Sequence, residues 1–116
     1  MAKNRVAVLV VEDIPQVRAT AVRILRELGW RVFDAYNGST ALEILRGHGE
    51  IGILFTDVRM PGMSGIELAE AARHLRPTLK VVLTSGYVRE EDLPGDLRFV
   101  PKPWRSEDIA AAIAAA

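Results

Sequence analysis

The chain has 116 residues, 49% of them hydrophobic and 26% charged, with 15 basic and 15 acidic side chains and no cysteine. That length suits one domain, residues 1–116, with enough chain for one core. The zero net charge gives no basic surface for nucleic acid or anionic membrane, the lack of cysteine excludes disulfides and thiolate metal sites, and no apolar run approaches the roughly 20 residues that span a bilayer.

Val6–Val11 is continuously apolar and valine-rich, the pattern of a central parallel strand covered on both faces. Glu12 and Asp13 end it, and they cut the apolar run too short for a signal peptide, so a cytoplasmic protein is expected. Pro15 fits the first turn of a helix whose inner face is Val17, Ala21, Ile24, Leu25 and Leu28, stopped by Gly29. Arg31–Tyr36 forms a short mixed strand at an edge. Asn37-Gly38 turns the chain, and Ser39 caps a helix to about Arg46. The strand Ile51–Asp57 follows a glycine-punctuated loop.

Ser64-Gly65-Ile66-Glu67 has the form of a capping box, opening a helix to about Arg76 with Leu68, Ala72 and Leu75 inward. Leu79–Ser85 and Leu97–Pro101 are the fourth and fifth strands. Between them Pro94-Gly95 leaves room for a helix of one or two turns around Arg89–Leu93. Ser106, Glu107 and Asp108 start the last helix, with Ile109 and Ile113 inward and an alanine-rich remainder that has no charged outer face. Alternating strands and helices predict an α/β fold, a doubly wound five-stranded parallel sheet in the flavodoxin-like order 2-1-3-4-5, with helices on both faces and a shortened fourth helix.

In that order the first and third strands are neighbours, so Glu12, Asp13 and Asp57 converge at the carboxyl edge of the sheet. Carboxylates about 4 Å apart repel by roughly 4 kcal/mol per pair at an effective dielectric near 20, so the cluster calls for a cation. Mg²⁺ takes hard oxygen ligands and keeps several waters. Asp13 and Asp57 are assigned as direct ligands, Glu12 as a ligand through water, and the Arg59 backbone carbonyl as a further oxygen. Asp57 is then placed to attack phosphorus, with Lys102 sharing the charge of the phosphoryl oxygens and the Thr84 hydroxyl donating to one of them.

Each residue has a plainer use: Asp13 as a helix cap, Lys102 as a solvated loop lysine, Thr84 as a β-favouring residue, and Phe99 as core. His48, His74, Arg73, Arg76, Arg89 and Arg98 are expected on ordinary surface, and Trp30 and Trp104 at the edges of the core.

Together, Val-Val-Glu12-Asp13, the Asp57-Val-Arg-Met-Pro-Gly-Met-Ser-Gly65 stretch, Leu-Thr84-Ser-Gly and Phe99-Val-Pro-Lys102-Pro103 resemble bacterial response-regulator receiver domains, over essentially the whole chain. The resemblance implies that Asp57 is the phosphoacceptor for a phosphohistidine. It implies that Glu12 and Asp13 are the Mg²⁺ acids, and that Thr84 and Lys102 contact the phosphoryl group. It further implies that Phe99 is a switch aromatic that follows Thr84 inward and that the Lys102–Pro103 bond is cis. The Thr84-Ser-Gly-Tyr87 stretch with a degraded fourth helix resembles receivers attached to, or serving, certain alphaproteobacterial sensor kinases. Implied partners are a sensor histidine kinase or phosphotransfer protein and a downstream protein, with no nucleic acid or membrane. A homodimer that forms on phosphorylation also lies within the family's repertoire. Such a domain is not a multiple-turnover enzyme; it catalyses only its own phosphorylation and dephosphorylation.

Two alternatives stand beside this expectation. A Mg²⁺-dependent aspartyl-phosphate phosphatase would need a second acid two residues after Asp57, where this chain has Arg59. A constitutive protein-binding module would leave the acids unused.

Overall fold

The computed structural model describes residues 6–86, 90–95 and 97–115, so the expectations for Tyr87 and Arg89 lie outside the described residues. Five strands, β1 (Ala7–Val11), β2 (Arg31–Ala35), β3 (Ile51–Asp57), β4 (Lys80–Ser85) and β5 (Arg98–Pro101), form one parallel sheet in the order β2-β1-β3-β4-β5. Helices α1 (Pro15–Glu27), α2 (Gly38–Gly47), α3 (Gly65–Leu75) and α4 (Ser106–Ala115) alternate with the strands. Between β4 and β5 the expected short helix is a single 3-10 turn, Glu90–Asp92. No helix among the described residues is long and apolar enough to cross a membrane.

Each face of the sheet carries its own core, because strand side chains alternate. Ala7, Leu9 and Val11 of β1 pack with Ala41 and Leu45 of α2 and Leu68, Ala69 and Ala72 of α3. Val8 and Val10 pack on the other face with Ala21, Val22, Ile24 and Leu25 of α1 and Ile109 and Ile113 of α4. The β1–β3 register slips between Ala7↔Ile51 and Val8↔Ile53, so Gly52 is skipped. The alternation of β3 thereby shifts: Ile51 and Leu54 share the α2/α3 face, and Ile53 and Phe55 the α1/α4 face.

The capping box at Ser64 is formed in both directions, Glu67 N–H to Ser64 Oγ at 3.2 Å and Ser64 N–H to a Glu67 carboxylate oxygen at 2.9 Å. The structure moves other expectations. Asn37, not Ser39, caps α2, because its Oδ1 accepts from Thr40 N–H at 2.8 Å. Leu75 is exposed: it is the last residue of α3, and Ala69 and Ala72 supply the inward stripe there.

Arg76 is not ordinary surface. Its guanidinium is half-buried and donates to the carbonyls of Leu45, His48 (3.1 Å) and Ile51 (2.7 Å). This ties the ends of α2 and α3 to the start of β3. His48 is half-buried as well, with its ring 4.4 Å from Phe33, whereas His74 is exposed as expected.

Candidate functional site

The carboxyl ends of β1, β3, β4 and β5 meet at one rim. Register places Val11 beside Thr56, Asp57 beside Thr84 and Ser85 beside Pro101, so the residues that follow β1 and β5 flank the end of β3. Backbone bonds fix the rim: Glu12 N–H to Ala35 O at 3.1 Å, Val58 N–H to Thr84 O at 3.0 Å and Lys102 N–H to Ser85 O at 3.1 Å. The β3–α3 loop is pulled back on itself by Gly65 N–H to Val58 O at 2.8 Å. A side chain at Gly65 would meet the Asp57 carbonyl oxygen at 2.0 Å, so glycine is required for that approach.

Glu12, Asp13 and Asp57 each present a ligand oxygen within 4.8 Å of the others. Glu12 is almost fully buried and Asp13 half-buried, while the Asp57 side chain keeps 9% of its surface exposed, recessed but open to solvent. No side chain caps α1, whose N-cap residue is Ile14, so Asp13 is not spent on that task. The Lys102 ammonium lies between two of the acids, 2.6 Å from Glu12 Oε1 and 3.3 Å from Asp57 Oδ2. Glu12 Oε2 accepts from Ile14 N–H at 3.1 Å, and the Glu12 carbonyl accepts from Arg18 at 2.9 Å. The Lys102–Pro103 bond is cis, as the resemblance implies.

Burial pushes the Glu12 carboxyl above its ordinary value, and the charge of Asp57 adds to this; Lys102 and the Ile14 N–H oppose it without overcoming it. For Lys102, burial alone would lower the pKa. The hydrogen bond to Glu12 and the charges of Asp57 and Glu12 outweigh burial and hold the ammonium above its usual value. One ammonium against three carboxylates leaves the pocket anionic.

That donor set fits a hard divalent cation. Three carboxylate oxygens already lie within 4.8 Å of one another, and hard oxygen donors of this kind suit Mg²⁺.

Thr84, the last residue but one of β4, lies on the same rim, buried. Its Oγ1 accepts from the indole N–H of Trp104 at 2.7 Å. Sequence reasoning placed Trp104 only at a core edge; its position two residues after Lys102, on a chain aimed by prolines, was the available signal. Phe99 is half-buried on the α2/α3 face and pairs with Leu83. The Arg59 side chain, two residues after Asp57, is exposed. Beside Lys102 a groove of about 570 Å³ opens, with Ile14, Val17 and Thr20 on one side and Pro103 and Trp104 on the other.

A five-stranded parallel sheet with an acid cluster and a lysine at one rim is the architecture of a phosphoacceptor module. The sequence profile described as "Response regulator receiver domain" matches residues 8–114, and the chain belongs to that family. It is therefore a receiver domain of two-component phosphorelay signalling, a signalling module. Among its relatives, the sensor kinase CckA of Brucella abortus (strain 2308) is 38% identical over 112 residues, 91% of this chain and 12% of that protein. The response regulator receiver protein CpdR of the same organism is 32% identical, covering 91% of this chain and 92% of CpdR. A crystal structure of the receiver domain from the hybrid histidine kinase CckA superposes with a TM-score of 0.81 at 35% identity, covering 94% of this chain and 96% of that one. The chain thus spans a small part of one relative and nearly all of another.

Proposed function

We propose that Asp57 is the phosphoacceptor, receiving a phosphoryl group from a phosphohistidine on a sensor kinase or phosphotransfer protein. The observation that carries this reading is the Lys102 ammonium held on Glu12 and Asp57 beside a third acid, Asp13. A carboxylate oxygen of Asp57 forms a bond to phosphorus as the P–N bond of the donor breaks, and the departing imidazole takes up a proton. Lys102, already 3.3 Å from Asp57, neutralises charge on the phosphoryl oxygens, and the Thr84 hydroxyl donates to one of them. Asp13 and Asp57 would hold Mg²⁺ directly, Glu12 would hold it through water, and the Arg59 carbonyl would add an oxygen. When bound, Mg²⁺ supplies the positive charge that lets the acids and the phosphoryl group coexist.

The added charge on Asp57 draws Thr84 toward it, Phe99 follows, and the face bearing β5 changes shape for a downstream partner. The groove beside Lys102 offers an apolar surface for docking a donor protein in this reading. This is a switch, with one phosphoryl group per cycle and no product released to bulk beyond the domain's own dephosphorylation. A cytoplasmic location agrees with such partners.

Reductive trapping tests the assignment. After treatment with acetyl phosphate and Mg²⁺, borohydride should convert the acyl phosphate to homoserine at position 57. Homoserine at another aspartate, the longer 5-hydroxynorvaline at a glutamate, or no reduced residue anywhere would overturn it.

A further inference from the structure

Trp104 touches both groups assigned to the phosphoryl oxygens. Its indole N–H donates to Thr84 Oγ1 at 2.7 Å, and the Lys102 ammonium lies 5.6 Å from its ring centroid, within cation–π range. The ring is held in turn by Phe55, at 5.7 Å between centroids and 52° between planes. Trp104 packs with the α1/α4 core, whereas Phe99 packs with the α2/α3 core. The indole therefore grips Thr84 from the side of the sheet opposite the residue meant to follow it.

A hydroxyl has one proton to give and two lone pairs to receive. With one lone pair taken by a short indole bond, the direction of Thr84 Oγ1 is set by Trp104. A movement of Thr84 that carries Oγ1 away from the indole breaks that bond. We propose that Trp104 is a positioning residue that latches Thr84 in the resting state, so that phosphorylation of Asp57 switches the domain by drawing Thr84 off the indole. This rests on the assignment of Thr84 to the phosphoryl group. Threonine is then held between two competing partners, and the strength of the indole bond sets how far the resting domain lies from the switched form.

The chain's two tryptophans make the test direct, because each gives one isolated indole N–H resonance. Thr84→Val, which keeps the shape and removes the acceptor, should shift the Trp104 indole proton upfield and leave that of Trp30 in place. Beryllofluoride with Mg²⁺ should move the Trp104 resonance of the unaltered protein in the same direction. Trp104→Phe keeps an aromatic ring and removes the donor, and it should tighten beryllofluoride binding by about 2- to 10-fold, the effect of one neutral hydrogen bond.

A Trp104 resonance that stays fixed, or moves downfield, while the amides of Asp57 and Thr84 respond to beryllofluoride would overturn the latch alone. Unchanged or weaker binding in Trp104→Phe would do the same. A complete lack of response to beryllofluoride around Asp57 would instead overturn the phosphoacceptor assignment beneath it.

Discussion

Lys102 serves as the counter-ion of a buried acid cluster, in addition to its proposed role at the phosphoryl oxygens. Glu12 is almost fully buried, and the 2.6 Å contact to Lys102 is its charged partner. Breaking a buried pair by removing one member costs about 3 kcal/mol. Lys102→Met should therefore lose about that much in urea unfolding without divalent ions. Mg²⁺ should restore a large part of it by supplying the missing positive charge. Asp57→Asn should act oppositely, removing one of three crowded charges and raising the thermal midpoint of the metal-free protein. These side chains were legible in the sequence because each ends an apolar run. Trp104 was not, since nothing in a lone tryptophan says where its N–H will point.

Among the elements, β3 links two unlike ends. At one, Gly65 lets the start of α3 lie against the Asp57 carbonyl, where an added Cβ would stand 2.0 Å away. Gly65→Ala should destabilise the domain by about 1–3 kcal/mol and slow phosphorylation of the folded protein, because the clash falls on the backbone of Asp57, the proposed acceptor. At the other end, Arg76 gathers the carbonyls of Leu45, His48 and Ile51 at the junction of α2 and β3. Arg76→Met should cost about 2–3 kcal/mol in urea unfolding, since hydrogen bonds from a charged donor are the strong kind. It should leave phosphorylation of the folded fraction unchanged, because the six residue steps from Ile51 to Asp57 span about 20 Å of strand. The strands, the capping box and the helix faces could be predicted because their signals are local. The Arg76 knot could not, because its partners lie 25 to 31 residues away in sequence. The α2 cap went to Asn37 over Ser39, a competition between adjacent capping residues that sequence preference does not separate.

For the whole molecule, the sheet order follows from alternating elements, and the sheet order is what makes the site. Placing β3 between β1 and β4, with β5 next, brings residues 12, 13, 57, 84 and 102 to one rim though they span most of the chain. Among the described residues between β4 and β5, the helical element is the 3-10 turn Glu90–Asp92, where a fourth helix was expected to be brief. Because a ligand that binds only the folded state stabilises it by mass action, Mg²⁺ should raise the thermal midpoint of the native chain. The same addition should do little for Asp13→Asn, which lacks one of the ligands proposed for the ion.

The most direct measurement is the intact mass after incubation with acetyl phosphate. With Mg²⁺ present, the native chain should gain one phosphoryl group. The gain should vanish when EDTA replaces Mg²⁺, and it should vanish in Asp57→Asn. A gain that persists in Asp57→Asn, or that proceeds equally well without a divalent cation, would contradict the account.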